Sequence, residues 1–308
     1  MKPHKLTAAP SIESVSRLTE VSYPINRYRF YFCALEDLKF QDQAGSALRG
    51  ALGHALMKLV CPSASLSQPT CTCEDGTLCT YRKLFRPSPH ELPNGQVLTP
   101  PAPLVFEASC SGKHFAVGAV GFFDLVLTGD FANQHLELLR AAFGLALRTH
   151  IGGGRAQLTE VVLVDAPSDG VPNHSDSVLV QLITPLKLQH RGQLVTPADF
   201  SGEVFLRTLK RRYKILESLH GERSDQQRQV DHPEDFTVKT VHSLSSTSWT
   251  RWSNRQSHQI PVEALVGWIE FSELTDSAWH YLYYGQWLHV GKHSMFGLGQ
   301  YRVWHTGS

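Results

Sequence analysis

The sequence predicts an α+β fold of two tandem ferredoxin-like (RRM-like, βαββαβ) domains with a C-terminal glycine-rich loop. Three observations lead there. Both halves of the chain run strand, helix, two strands, helix, strand, the order that gives a split-βαβ sandwich when one helical layer covers the sheet. A stretch of linker composition, Asp165 to Asp176, separates the halves. Each half also has a glycine joint before its last strand: His150-Ile151-Gly152-Gly153-Gly154-Arg155 in the first, and His289-Val290-Gly291 through Gly297-Leu298-Gly299-Gln300 in the second. The domains expected are 1–170, with a Cys-rich insertion at about 61–103, and 171–308.

The elements follow in order. Arg27 to Leu35 is aromatic-rich and reads as a strand. Leu48, Leu52, Leu56 and Leu59 recur at helical spacing and predict a helix over Ala44 to Val60, with Arg49 and Lys58 on its other face. From Cys61 to about Pro103 the chain is too rich in Pro, Ser and Cys for regular structure. Leu104 to Ala108 and Phe122 to Leu127 read as strands, Phe131 to Arg148 as a helix, and Leu158 to Val164 as the closing strand. In the second half Val178 to Leu188 reads as a strand and Phe200 to Leu219 as a helix. Phe236 to Ser243, Thr247 to Arg255 and Leu265 to Phe271 are strands, and Ser277 to His289 is the last helix.

Composition sets outer limits. With 308 residues, 42% hydrophobic and 19% charged, the chain can bury a large core in one or two domains. A net charge of +1 disfavours a generic nucleic-acid coating protein, so any anion site must come from local clustering. The first ten residues lack the apolar run of a signal peptide and no segment reaches the length of a membrane span, so a cytoplasmic protein with no membrane partner is expected.

Four of the six cysteines, Cys61, Cys71, Cys73 and Cys79, fall in one short stretch, and in a cytosolic chain such clustering favours metal over disulfides. Their spacing, C-x9-C-x-C-x5-C, lacks the usual paired C-x2-C. Four thiolates suit a structural Zn²⁺ and leave no open position for chemistry, with reduced thiols as the competing reading. Cys33 and Cys110 sit in apolar surroundings and read as buried structural thiols.

The ending Gly291-Lys292-His293-Ser294-Met295-Phe296-Gly297-Leu298-Gly299-Gln300-Tyr301 resembles the C-terminal glycine-rich signature of CRISPR-associated RAMP proteins, and most of all the endoribonucleases that cut precursor CRISPR RNA in its repeats. Leu48 to Leu56 resembles that family's first helix, the cysteine cluster running to Phe85 its Cys-rich insertion, and Trp249 to Gln256 a strand of its second domain. The resemblance implies RNA cleavage with no catalytic cofactor. The ribose 2′-hydroxyl attacks the adjacent phosphate and leaves a 2′,3′-cyclic phosphate and a 5′-hydroxyl. It also implies CRISPR repeat RNA and other CRISPR effector subunits as partners.

Such a reaction needs a group to take the 2′-OH proton, a group to protonate the leaving oxygen, and cations against the phosphorane. The catalytic candidates are His54 on the first helix, where the family places a histidine, with Arg49 beside it and Tyr28 on the first strand. The plainer readings are a helix face packed on a sheet for His54 and a half-buried packing ring for Tyr28. For RNA binding, Lys292 and His293 put positive charge in the glycine-rich loop, whose Gly297 and Gly299 open backbone N–H groups to phosphate. Arg251 and Arg255 share one face of a strand. Lys210, Arg211, Arg212 and Lys214 form a helical charge run, which elsewhere is usually a solvated face. A non-catalytic subunit that only binds crRNA is the alternative function. A zinc-stabilised interaction protein unrelated to RNA is the more distant one.

Overall fold

Alternation along the first strand organises the first domain. In β1 (Ile25–Ala34) the side chains of Phe30, Phe32 and Ala34 are buried under the helices, while Tyr31 and Cys33 face outward and are half-buried. The computed structural model describes residues 24–61, 71–73, 79–91, 97–98, 100–167, 170–174, 177–220, 236–253 and 258–305. β1 is followed by α1 (Gly45–Val60), β2 (Leu104–Glu107), β3 (Val120–Thr128), α2 (Leu136–Thr149) and β4 (Ala156–Asp165). The sheet order is β2-β3-β1-β4 with every pairing antiparallel, as a βαββαβ sandwich requires. Phe30, Phe123 and Phe143 form the centre of this core, with ring centroids 4.7–5.4 Å apart.

The second domain repeats the pattern with β5 (Ser177–Leu182), α3 (Gly202–His220), β6 (Lys239–Ser253), β7 (His258–Ser272), α4 (Asp276–Leu288) and β8 (Tyr301–His305). Its order is β6-β7-β5-β8, again antiparallel. Phe205, Phe271, Tyr284 and Tyr301 are wholly buried in its core. That core also takes in Ile25, Val105 and Val126 from the outer face of the first sheet. One end of that face is thus covered by the second domain.

Several elements differ from the sequence reading. The Cys-rich stretch contains a short helix, Thr80–Phe85, and a two-residue ladder between His90–Glu91 and Val97–Leu98. The helix expected over Phe131 to Arg148 is two, Asp130–Gln134 and α2, because His135 leaves helical geometry and its ring bonds back to the Phe131 carbonyl. The two short strands between Phe236 and Arg255 are one 15-residue strand, paired with β7 from Lys239↔Ser272 to Ser253↔His258. Cross-strand pairing overrides the local Ser-rich composition there. β5 stops at Leu182 instead of reaching Leu188, and the chain that follows lies against the glycine-rich loop. Cys110 is buried as expected, but Cys33 is only half-buried, since it points to the outer face of the sheet.

Candidate nucleic-acid interface

Between the domains lies a cleft of about 810 Å³. One wall is a stripe of α3, formed by Val204, Arg207, Thr208, Arg211, Arg212 and Ile215 at helical spacing, while Phe205, Leu206, Leu209, Tyr213 and Leu216 on the other side enter the core. The second wall is Arg49 of α1 with Phe85, Arg86 and Pro87 from the end of the short helix. Gly291 to Met295 of the glycine-rich loop, the tight turn His190-Arg191-Gly192 with Gln189 before it, and Pro100 to Ala102 complete the lining. Seven Lys or Arg side chains line the cleft (Arg49, Arg86, Arg191, Arg207, Arg211, Arg212 and Lys292), and no Asp or Glu does so among the described residues. Like charges gathered on one concave surface make a strongly positive field there despite the near-zero net charge.

Two of these cations have fixed structural partners. Arg212 donates Nε–H to the Leu288 carbonyl at 2.6 Å and so ties α3 to the end of α4, where the glycine-rich loop begins. The Arg49 guanidinium stacks 4.3 Å from the Phe85 ring centre and 5.2 Å from that of Phe296, and its Nε–H points at the Met295 sulfur at 3.1 Å. Arg207 is partly compensated by Glu203, 3.3 Å away one turn earlier.

The glycine-rich loop works differently from its sequence reading. The amides of Lys292, Phe296, Gly297, Leu298 and Gly299 donate to carbonyls of the protein, Gly299 to Pro185 at 2.9 Å and Lys292 to Lys187 at 2.8 Å. Gly297 and Gly299 are buried and do not line the cleft. Gly297 has φ +89°, and a Cβ there would sit 2.4 Å from the Phe106 carbonyl oxygen, so the residue serves close packing on β2. Side chains, chiefly Lys292 and the half-buried His293 stacked on Phe296, carry the loop's polar chemistry.

The other expected residues are dispersed. His54 lies on a different face of α1 from Arg49, in a separate hollow of about 300 Å³ with Lys58, Thr149 and His150. Its Nδ1 is 3.0 Å from the Gly50 carbonyl oxygen, an acceptor, which favours the tautomer with the proton on Nδ1. The Tyr28 hydroxyl donates to Asn133 Oδ1 at 3.4 Å beneath the helices, its pKa raised by burial, and it lines neither hollow nor cleft. Lys214 pairs with Glu217 at 3.4 Å and Lys210 sits over the Phe236 ring, so of the charge run only Arg211 and Arg212 reach the cleft. Arg255 lies outside the described residues, and Arg251 is described only as a residue of β6 paired with Ile260.

Sequence reasoning missed Arg86, His190, Arg191 and Arg207. Arg207 was accessible, since it stands four residues before Arg211 on the same helical stripe. It also missed a buried cluster between the domains. Arg27 forks onto both carboxylate oxygens of Glu107 at 2.8 and 2.9 Å and also reaches Asp165, and His289 approaches Glu107 from the other side. Burial works against the Glu107 charge, but the His289 hydrogen bond and the Arg27 charge hold its pKa down at about 2.

The sulfurs of Cys61, Cys71, Cys73 and Cys79 lie within 4.8 Å of one another, with Cys61–Cys73 at 3.8 Å and Cys71–Cys79 at 3.9 Å. These separations match the edge of a tetrahedron of thiolates around Zn²⁺, roughly 3.8 Å for Zn–S bonds of roughly 2.3 Å. A disulfide would need about 2.05 Å. Burial opposes the Cys71 thiolate, yet hydrogen bonds from the Cys73 backbone, neighbouring thiols and Arg82 bring its pKa to about 6.

Among the described residues no helix is long and apolar enough to cross a membrane. Residues 23–181 match the family model AF_1859_N, described as an N-terminal domain, and residues 180–301 match that of the CRISPR-associated endoribonuclease Cas6. No curated protein matches the chain. Among solved structures, a Cas6 product complex is 13% identical over 91% of this chain and 100% of that one, with TM-score 0.54. The product of a Cas6-related gene from Pyrococcus furiosus is 10% identical over 92% and 100%, with TM-score 0.51. A partial Cas6-RT-Cas1–Cas2 complex is 10% identical over 92% of this chain and 46% of that one, with TM-score 0.54. At such identities these structures attest the tandem fold, while the two family models account for the chain nearly end to end. Residues 180–301 thus carry the domain of the CRISPR-associated endoribonuclease Cas6, a family that acts in CRISPR RNA processing, and the whole chain takes the tandem fold of the Cas6 structures.

Proposed function

We propose that this protein binds the repeat of precursor CRISPR RNA along the basic cleft and cuts it once by 2′-hydroxyl attack, without a catalytic metal. The observation that carries the reading is the cleft lined by seven cations and, among the described residues, by no carboxylate. A polyanion fits such a surface, and neutralised phosphates release counterions on binding. Arg49, Arg211, Arg212 and Lys292 contact the backbone.

Proton transfer is assigned to His54. With Nδ1–H held by Gly50, its Nε2 takes the 2′-OH proton as the oxygen attacks the phosphorus. Lys58, one turn further along α1, neutralises the developing phosphorane charge, and His150 in its charged form protonates the departing 5′-oxygen. The products are a 2′,3′-cyclic phosphate and a 5′-hydroxyl. Arg49, on a different face of α1, holds the chain in the cleft, and Tyr28 remains a packing residue. The four cysteines bind a structural Zn²⁺ that takes no part in the reaction. After cutting, the protein stays on its product and joins other CRISPR subunits, a role in keeping with the fold's occurrence in a Cas6-RT-Cas1–Cas2 complex.

The test is cleavage of repeat RNA in EDTA by the wild type and by His54→Ala. Loss of cutting at least a hundredfold, with RNA affinity retained, is the expected result. A second reading rests on His190 and His293, which line the cleft itself. If His293→Ala or His190→Ala abolishes cutting while His54→Ala leaves it intact, the chemistry belongs in the cleft. If the wild type binds but never cuts, the protein is a crRNA-binding subunit.

A further inference from the structure

Resting on that reading of the cleft, we infer that the four-cysteine metal site anchors one of its walls, so that Zn²⁺ occupancy sets RNA affinity. The ligands come from separate points of the chain: Cys61 at the end of α1, Cys71 and Cys73 in the intervening segment, and Cys79 directly before the helix Thr80–Phe85. A six-residue helix has no stability of its own and needs anchors at both ends. At the far end the anchor is Phe85, buried against α1 where Gly53 leaves room: a Cβ on Gly53 would lie 2.5 Å from the ring. At the near end it is Cys79, and with it the metal.

The short helix in turn shapes the cleft. Phe85 is the platform on which Arg49 stacks, and Arg49 also reaches Met295 of the glycine-rich loop. Arg86, the next residue, projects exposed into the cleft. A continuous path therefore runs from the thiolates through the helix to three elements of the RNA surface: Phe85, Arg49 and Arg86. Zinc clamps Cys79 to the end of α1. Without it the helix keeps only the core packing of Tyr81, Leu84 and Phe85, its entry at Cys79 is untied from α1, and Arg86 is held less firmly in place.

The experiment measures zinc per chain by atomic emission. It then compares repeat-RNA affinity across salt concentrations for protein as purified, protein stripped by a mercurial and chelator, and stripped protein given one equivalent of Zn²⁺. The expected result is one zinc per chain, an affinity about tenfold weaker after stripping with a salt slope smaller by about 1, and recovery with Zn²⁺ but not Mg²⁺. Arg86→Ala, which keeps its metal, should show the same loss and should weaken little further on stripping. Absence of stoichiometric zinc, unchanged affinity in folded stripped protein, or wild-type affinity in Arg86→Ala would each overturn the inference. If the metal-loaded wild type binds no repeat RNA, the reading of the cleft fails. The anchor is then judged by hydrogen exchange of the Thr80–Arg86 amides, where faster exchange on stripping supports it and unchanged exchange overturns it.

Discussion

His289 Nε2 stands 3.1 Å from Glu107 Oε1, completely buried, and this contact joins the root of the glycine-rich loop in the second domain to β2 in the first. His289 itself has left-handed backbone geometry, with φ 60°, at the end of α4. Burial pushes its imidazole below the usual histidine range even against the pull of Glu107. The neutral ring gives its one N–H to Glu107, and its other nitrogen lies further from the Leu298 carbonyl, at 3.3 Å.

Glu107→Gln should therefore destabilise the protein by about 3 kcal/mol, because the buried Arg27 is left with only the partly exposed Asp165 as a charge partner. Chemical denaturation of wild type and variant measures this. Glu107 has a folded pKa of about 2, below its unfolded value of about 4.3, so its contribution is present above pH ~4.3 and is lost as the pH falls towards 2. The variant's stability should be flatter across that range.

Milder acid acts through two other histidines. Burial pushes His220 and His280 down to about 4, so both are neutral in the fold. Once the pH drops below about 6.5 the unfolded chain binds protons there and the fold does not. Stability from each is whole above pH ~6.5 and declines until about 4. His280 packs edge-on against Tyr213 and Tyr284, so His280→Phe keeps the ring contacts and should flatten the fall of Tm between pH 7 and 4.5.

The charge run of α3 divides by direction. Arg211→Ala should weaken repeat-RNA binding severalfold and reduce the salt slope by about 1. Lys214→Ala should change neither, since Lys214 pairs with Glu217 away from the cleft. Fluorescence anisotropy titrations at several salt concentrations separate the two outcomes.

Two glycines of α1 should respond in opposite ways. A Cβ at Gly45 would lie 2.0 Å from the Phe296 carbonyl oxygen, so Gly45→Ala forces the glycine-rich loop off the helix and should cost at least ~2 kcal/mol. At Gly50 nothing lies within 4 Å, so Gly50→Ala should stabilise the helix by about 0.8 kcal/mol. Thermal denaturation of the two single variants reads both signs.

The sequence by itself determined the architecture. Alternation in β1 and helically spaced leucines in α1 are local patterns tied to burial, Leu48, Leu52 and Leu56 being buried while Leu59 at the helix end is exposed, and the doubled strand-helix order admits few topologies. It also determined the cysteine cluster, since four cysteines so close in the chain can meet without long-range help. Only the tertiary structure decided the interface. Whether Arg49, Arg86, Arg191 and Arg211 share one surface depends on how two domains pack, and no periodicity encodes that. The same holds for His54 and Arg49, neighbours on one helix that its twist sends into different hollows. The glycine-rich loop shows the division most clearly. Its composition marked a special backbone, but the docking of Gly297 on Phe106 and of Phe296 on Gly45 turned that backbone inward and left Lys292 and His293 to face the cleft.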